Sequence, residues 1–343
     1  MTRTFVLWLC TVAALANVFQ PAHATGVPPP DQRAIVFSRT GNQASNGVYL
    51  IAPDGTGETE ISPEVQPSQI RTFQNRGEVY EPTWSPDHTL VAFSGHGADG
   101  FDHLYVARPN GSLVSETATT QGFGDVGASW AGSDDLVAME HHGDERAWIR
   151  AARTDANVYQ RVTKSVGFDP EASPDGGTIA FRSKTGALFT IGIDGKARAR
   201  VTRHPVTEFV WSPDGTRIAY VSSADGDDEI FTAKPDGDGK RQLTDNAGDD
   251  REPDWSPDSS HIAFAVGADG ARDVFTVARN GSSLTQLTVS PGDDFDPTWS
   301  PDGEQLAFVS NRDANDEIYV MDSDGTQQSR VTLNVLNDRE PDW

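Results

Sequence analysis

A repeat of about 44 residues constrains the fold of this chain more than any other feature. The motif Trp-Ser-Pro-Asp-Gly is complete at Trp211 and Trp299 and occurs in shortened or degenerate copies elsewhere. The anchor positions are Trp84, Trp130, Ala172, Trp211, Trp255, Trp299 and Trp343. Successive anchors stand 39 to 46 residues apart. Self-similarity at a fixed period is the signature of a repeat architecture, in which each unit is one supersecondary structure.

The order of elements within each unit predicts four β-strands. Two short apolar runs follow the anchor turn, for example Ile262-Ala263-Phe264 and then Val274-Phe275. Short runs rich in β-branched and aromatic residues and bounded by turn residues are typical of strands. Ser-Pro-Asp-Gly has the composition of a type I turn, and the later Asp-Gly or Asn-Gly pair supplies the positive φ of a tight hairpin. Four antiparallel strands repeated at this interval predict the blades of an all-β propeller.

The same residues carry a resemblance to a known family. Pro-x-Trp-Ser-Pro-Asp-Gly, Ile-Ala-Phe, Glu-Ile-Tyr and Asp-Gly together resemble the WD40-like repeat of TolB-type propeller proteins, most closely at residues 311–322. The resemblance covers residues 30–343 and only the propeller part of that family. It implies a cell-envelope protein related to the Tol-Pal assembly. The same repeat also occurs in scaffolds, peptidase accessory domains and lyases, so that fold alone does not assign function.

The two ends of the repeat region read as complementary halves of one unit. The first apolar run, Ile35-Val36-Phe37, lacks a preceding Trp strand, and the chain ends on such a strand at residues 339–343. We therefore expect seven blades, closed by pairing the C-terminal strand with the N-terminal blade. Closure of this kind removes open sheet edges. Six blades, as TolB-type propellers typically have, are the alternative, with an irregular unit between Asp134 and Ala172.

The N-terminus reads as a secretory signal peptide over residues 1–24. Arg3 precedes a short apolar run, and Ala22-His23-Ala24 fits the small-x-small cleavage pattern. Residues 25–29 are then a short linker and residues 30–343 a single propeller domain. The only cysteine, Cys10, lies in the signal, so we expect no disulfide. These features predict a periplasmic or secreted protein with no membrane span after cleavage.

The charge balance excludes several classes of partner. The chain has 51 Asp and Glu against 27 Lys and Arg, a formal net charge of −24. Nucleic acid and anionic lipid both require a basic surface, so neither is an expected partner. We expect a protein or peptide of the cell envelope or extracellular space to bind, and the propeller itself to be monomeric.

Acidic residues recur three positions before the anchor. They are Glu81, Asp169, Glu208, Glu252, Asp296 and Glu340. A further Asp stands five positions before the anchor at Asp125, Asp250, Asp294 and Asp338. These positions begin the innermost strands, so the carboxylates should gather at one mouth of the central channel. Like charges there require hydrogen bonds, protons or a cation. Hydrogen bonds to backbone N–H groups of the next blade, a Ca²⁺ ion and a catalytic role all stay open. No cofactor is required, and Ca²⁺ at the channel mouth is the candidate ion.

Catalytic motifs do not appear in the sequence, which favours a binding protein over an enzyme. There is no Gly-x-Ser-x-Gly, no P-loop and no His-Glu-x-x-His. The longest loop, between Ser62 and Val79, contains Arg71, Phe73 and Arg76, which we predict to bind the partner. The first functional hypothesis is thus a non-enzymatic exported scaffold that binds a protein or peptide on its loop-rich face. A metal-dependent propeller enzyme of lyase or lactonase type and a carbohydrate- or cell-wall-binding module are the alternatives.

Overall fold

All regular structure in the described part of the chain is β-strand. A computed structural model describes residues 34–41, 46–62, 79–96, 102–116, 123–132, 135–142, 146–153, 156–224 and 226–343. The predicted signal peptide 1–24 and linker 25–29 lie outside these residues. In the described ranges no helix is long and apolar enough to cross a bilayer.

The strands follow one another in the order that the repeat predicts. They are β1 (Ile35–Thr40), β2 (Gly47–Ile51), β3 (Thr59–Glu60), β4 (Val79–Trp84), β5 (Val91–His96), β6 (Asp102–Ala107), β7 (Leu113–Glu116), β8 (Phe123–Trp130), β9 (Asp135–His142), β10 (Arg146–Arg153), β11 (Ala156–Arg161), β12 (Gly167–Ala172), β13 (Thr178–Ser183), β14 (Ala187–Gly192), β15 (Ala199–Pro205), β16 (Phe209–Trp211), β17 (Ile218–Ser222), β18 (Glu229–Ala233), β19 (Arg241–Gln242), β20 (Asp250–Trp255), β21 (His261–Val266), β22 (Asp273–Ala278), β23 (Thr285–Gln286), β24 (Asp294–Trp299), β25 (Gln305–Ser310), β26 (Glu317–Asp322), β27 (Ser329–Arg330) and β28 (Asn337–Asp342).

These strands pair into four-stranded antiparallel sheets, which confirms an all-β propeller built from such blades. The described residues form seven sheets, and six of them contain four consecutive strands each, beginning at β4, β8, β12, β16, β20 and β24. The remaining sheet has the order β28-β1-β2-β3 and so joins the two ends of the described chain. In it, Val36 pairs with Asp342 and Thr40 with Asn337. This is the pairing expected from the complementary ends.

The sheets pack against one another through the anchor residues, six of which are tryptophan and one of which is Ala172. Trp84 lies in one apolar cluster with Val36 and Val48 of the preceding sheet, and Trp343 lies in another with Ala307 and Ile318. The first strands also contact one another in sequence, and β28 contacts both β24 and β4. Burial of large aromatic side chains between sheets provides much of the packing stabilisation in such a fold. The anchors are therefore inter-blade packing residues, as their spacing predicts.

Two kinds of tight turn lie on the same face of the propeller. In the Ser-Pro-Asp-Gly turn, Gly215 N donates to Ser212 O at 2.8 Å, and Ser212 Oγ donates to Asp214 Oδ1 at 2.6 Å. In the later turn, Gly237 N donates to Lys234 O at 2.8 Å. Because antiparallel strands alternate in direction, the first-to-second and third-to-fourth connections share one face. The second-to-third connections and those between blades share the other.

Candidate functional site: the loop face and the channel carboxylates

The connections between blades expose apolar side chains to solvent. We call the face that carries these connections the loop face. The segment 287–293 joins β23 to β24 and presents Val289, which is 84% exposed. The segment 331–336 joins β27 to β28 and presents Leu333 and Val335, which are 77% and 90% exposed. These three side chains are the candidate interaction residues of the loop face.

Large apolar side chains on the tight-turn face are less exposed than those on the loop face. Leu284, before β23, is 48% exposed and Leu113, at the start of β7, is 37% exposed. Both stand at the turn before a fourth strand, where Asn-Gly and Asp-Gly hairpins are compact. The most exposed large apolar side chains of the described chain are therefore on the loop face. The sequence analysis missed Val289, Leu333 and Val335, although each is an apolar residue outside a strand run.

The predicted partner-binding residues Arg71, Phe73 and Arg76 lie outside the described residues. Their segment connects β3, which ends at Glu60, to β4, which begins at Val79. It is thus a between-blade connection like 287–293 and 331–336. These three connections follow one another around the ring, because β24, β28 and β4 are the first strands of three successive sheets. The partner role of the three residues remains a prediction.

A β-bulge positions most of the predicted channel carboxylates. Residues at the bulge have positive φ, between 48° and 56°, in an otherwise extended strand. They are Glu81, Asp169, Glu252, Asp296 and Glu340. The strand register shifts at each of these positions, as at Phe295/Thr298 of β24. Each of the five acids precedes a proline, and proline, which has no N–H to donate, is tolerated in a strand at a bulge. The Glu-Pro or Asp-Pro pair is the signal that could have predicted the bulge.

Several of these carboxylates accept hydrogen bonds from the next blade. Glu340 Oε2 accepts from Glu81 N at 2.8 Å, and Glu252 Oε2 accepts from Asp296 N at 2.7 Å. Glu208 accepts in the same way from Glu252 N. Each bond joins equivalent positions in successive sheets. This is the backbone hydrogen-bonding alternative that the sequence left open.

This row of hydrogen bonds between blades is interrupted in two sheets, β8–β11 and β12–β15. The position equivalent to the acids in β8 is Gly127, whose φ of 66° matches the bulge of its neighbours. Asp169 pairs with the Arg182 guanidinium of its own sheet instead. The repeat alone could not predict the pairing of Asp169 with Arg182, because the other sheets have no arginine at the position of Arg182.

A second ring of polar side chains lies one position before the anchors. Trp84 N donates to Asp342 Oδ2 at 2.7 Å, and Trp299 N donates to Asp254 Oδ2 at 2.8 Å. Trp211 N donates to Glu171 Oε1 at 3.1 Å. Each carboxylate thus fixes the backbone of the next anchor. The sequence analysis did not single these residues out.

Burial raises the pKa of several carboxyl groups in these two rings. Burial, with the nearby charges of Glu340 and Asp169, raises the pKa of Glu81 to about 7. Burial raises the pKa of Glu171 to about 8 and that of Asp254 to about 7. The pKa of Asp296 is also raised well above its ordinary value, first by burial and then by the charge of Glu252. Desolvation and like charge both disfavour ionisation.

Three acids five positions before the anchor, Asp250, Asp294 and Asp338, are buried and accept hydrogen bonds from side chains. Asp338 is fully buried and accepts from Arg39 Nε at 2.6 Å and from Asn334 Nδ2 at 2.7 Å. Asp294 accepts from Ser310 Oγ at 2.6 Å and from Arg312 Nη2 at 2.8 Å. Neutralisation by hydrogen-bonded arginine is what permits a charge to be buried. These two acids are structural.

The channel acids are also the predicted metal ligands. Over the described ranges, no three His, Cys, Asp or Glu side chains converge closely enough to hold one ion. A Ca²⁺ ion shared more widely by Glu81, Asp169, Glu208, Glu252, Asp296 and Glu340 stays a prediction.

Four-stranded sheets arranged around an axis, with acids at the inner strands and open loops on one face, define a β-propeller of WD40-like repeats. A family model described as the TolB beta propeller domain matches residues 193–343. That match confirms TolB-type propeller repeats in this part of the chain. No curated protein matches the sequence.

Solved structures with the same fold have diverse functions. TolB from Acinetobacter baumannii superposes with a TM-score of 0.61 at 16% identity, covering 93% of this chain and 68% of its own. A puromycin-hydrolyzing peptidase of Mycobacterium tuberculosis gives 0.60 at 14% identity, covering 88% and 54%. An oligogalacturonate lyase in complex with manganese gives 0.61 at 14% identity, covering 87% and 84%. Identities this low establish the fold and leave function to the site.

Proposed function

We propose that this protein is a non-enzymatic β-propeller scaffold that binds a protein or peptide partner on its loop face. Its place of action is the periplasm or the exterior of the cell, as the predicted signal peptide and the similarity to TolB structures favour. The partner belongs to the cell envelope or the extracellular space, and the scaffold acts as a monomer.

The exposure of Val289, Leu333 and Val335 carries this proposal. All three are more than three-quarters exposed, and they stand on successive connections of the ring. The connection between β3 and β4 holds Arg71, Phe73 and Arg76 in the sequence, and we propose these residues as further partner contacts. Protein interfaces combine an apolar centre with aromatic and arginine residues in this way.

The channel carboxylates support a structural over a catalytic role. Glu340, Glu208 and Glu252 each hold a backbone N–H of the following blade, so they contribute to packing between sheets. A general acid or base must instead have its carboxyl group within reach of a substrate proton. The lyase-like and carbohydrate-binding alternatives rest on fold similarity to proteins at about 14% identity.

We further propose that all seven sheets act as blades of one closed ring. The alternative of six blades would leave the sheet β8–β11 irregular. That sheet is tied to both neighbours: Trp130 Nε1 donates to Thr83 O at 3.2 Å, and Ala172 N donates to Ser129 Oγ at 3.0 Å. These bonds repeat those between other blades, such as Trp211 Nε1 to Glu171 O at 3.1 Å.

Substitution on the loop face tests the proposed function. The triple variant Val289→Asp, Leu333→Asp and Val335→Asp replaces exposed apolar side chains by charges on one face. The matched control is Leu284→Asp, an exposed leucine on the tight-turn face. A partner recovered from envelope extract with the unchanged protein is purified, and its affinity for each variant is measured.

We expect the triple variant to bind at least about thirtyfold more weakly, the loss of a ~2 kcal/mol hot spot. The control should bind within about twofold of the unchanged protein, and all proteins should melt alike. Equal affinity of the folded triple variant and the control would contradict binding at the loop face.

A further inference from the structure

A basic cavity lies between the sheet β12–β15 and the sheet β16–β19, away from Val289, Leu333 and Val335. Its volume is about 620 Å³. Arg203, Lys240 and Arg241 line it together with His204, and all four side chains are exposed. The described residues of its lining include no carboxylate. In a chain of net charge −24, this concentration of positive charge is a local exception.

An aromatic pair forms part of the wall of this cavity. Tyr220 of β17 and Phe231 of β18 are stacked with ring centroids 5.6 Å apart and an interplanar angle of 13°. Tyr220 is buried and Phe231 is partly exposed. Every sheet with such a pair uses the same cross-strand positions, as Phe308 and Tyr319 do in the last sheet.

In three other sheets an arginine covers the equivalent pair. The Arg312 guanidinium lies 4.7 Å from the Tyr319 ring centroid, and Arg39 lies 4.3 Å from that of Tyr49. Arg198 covers Phe189 at 4.1 Å. Among the described residues, no guanidinium covers Tyr220 or Phe231. The position four residues after the first aromatic, which holds Arg312 after Phe308, holds Ala224 after Tyr220. The short side chain of Ala224 helps to open the cavity, since Ala224 is part of its lining.

The polar groups of the wall add hydrogen-bonding capacity. Ser222 Oγ donates to Pro205 O at 3.0 Å, which leaves its oxygen lone pairs to accept from a ligand hydroxyl. The arginine and lysine side chains are donors suited to a carboxylate. An aromatic face suits the apolar face of a ring. A cavity of several hundred Å³ is within the size range of small-ligand sites.

We propose that this cavity binds an acidic saccharide, a pyranose ring that carries a carboxylate. The ring packs on the partly exposed Phe231, in the place that an arginine takes in three other sheets. The carboxylate pairs with Arg203 and Arg241, and a ring hydroxyl donates to Ser222. The site uses none of the residues on which the function proposed above rests, so its test does not depend on that function.

Calorimetric titration of the full chain tests the proposal with three probes: a trigalacturonate, the corresponding neutral galactose trisaccharide and inorganic phosphate. The decisive variant is Ala224→Arg, which places an arginine where the last sheet has Arg312. The matched control is Ala268→Arg. Ala268 is exposed and stands four residues after Phe264 in the sheet β20–β23, as Ala224 does after Tyr220. The double variant Arg203→Ala with Arg241→Ala changes exposed residues only, so it tests the site even where Ala224→Arg fails to fold.

We expect the acidic trisaccharide to bind and the neutral one to bind at least about tenfold more weakly, because each charge-assisted hydrogen bond is worth about a factor of ten or more. Ala224→Arg should abolish binding, the double variant should weaken it at least about tenfold, and Ala268→Arg should leave it within about twofold. Absence of binding by the acidic trisaccharide, equal binding of phosphate, or binding that survives the double variant would each overturn the proposal.

Discussion

At the scale of single residues, carboxyl groups act here as connectors between blades. Asp342, Glu171 and Asp254 each accept a hydrogen bond from the backbone N–H of an anchor tryptophan in the next sheet. The bond is available to a neutral carboxyl as well as to a carboxylate, because its carbonyl oxygen still accepts. Burial therefore shifts these groups towards the protonated form without loss of the contact.

Glu171 should make the stability of the protein fall as pH rises. Burial raises its pKa from 4.5 to about 8, so the folded chain keeps a proton that the unfolded chain has released between these values. The contribution to stability is therefore full below about pH 4.5 and is lost as pH rises through about 8. Glu171→Gln keeps the acceptor oxygen and cannot ionise. We expect its Tm to exceed that of the unchanged protein by about 1–3 °C at pH 8 and to match it at pH 4.5.

The control for this measurement is Asp324→Asn. Hydrogen bonds from Thr326 lower the pKa of the exposed Asp324, the opposite direction to Glu171. The control should therefore show no rise in Tm at pH 8. An unchanged Tm of Glu171→Gln across the pH range would show that Glu171 ionises freely in the folded protein.

The acid positions were predictable from the repeat, but their surroundings were not. Period and anchor place Glu340, Glu252 and Asp296 at equivalent points of the inner strands. Their bulge conformation and their N–H partners lie on strands about 44 residues away, for example Glu252 with Asp296. Such contacts depend on how blades are rotated against one another, which local spacing does not encode.

At the scale of elements, turn chemistry determines most of the architecture. Ser-Pro-Asp-Gly, Asp-Gly and Asn-Gly turns set strand length and direction, so the strand order and the pairing of β28 with β1 could be predicted. The buried ion pair between Arg39 of β1 and Asp338 of β28 could not, because only the folded sheet brings residues 299 positions apart into contact.

Loss of Arg39 should destabilise this closing sheet strongly. Arg39→Met leaves the fully buried Asp338 without its arginine partner, so we expect a loss of about 3–5 kcal/mol in the free energy of unfolding by denaturant. The matched control is Arg251→Met in β20, whose ion pairs with Asp228 and Asp249 are more exposed and should contribute about 1 kcal/mol or less. Equal effects of the two substitutions would contradict closure through β1 and β28.

At the scale of the whole molecule, the two faces differ in kind. One face is built from tight turns whose side chains bond to their own backbone, as Asp214 does with Thr216 N at 2.9 Å. The other carries the connections between blades, with Val289, Leu333 and Val335 exposed. The sequence predicted a loop-rich binding face, but it drew attention only to the longest loop. The connections 287–293 and 331–336 are short, so their length did not mark them as binding loops. Their apolar residues could be recognised only from the exposure that the structure shows.

The central claim is that a protein or peptide partner binds on the loop face. Hydrogen–deuterium exchange of the propeller with and without the purified partner measures this directly. We expect slower exchange on binding in segments 287–293 and 331–336 and in the connection between Ser62 and Val79, with no change in the turn 279–284 of the opposite face. Protection confined to the tight-turn face, with the three connections unchanged, would contradict the account.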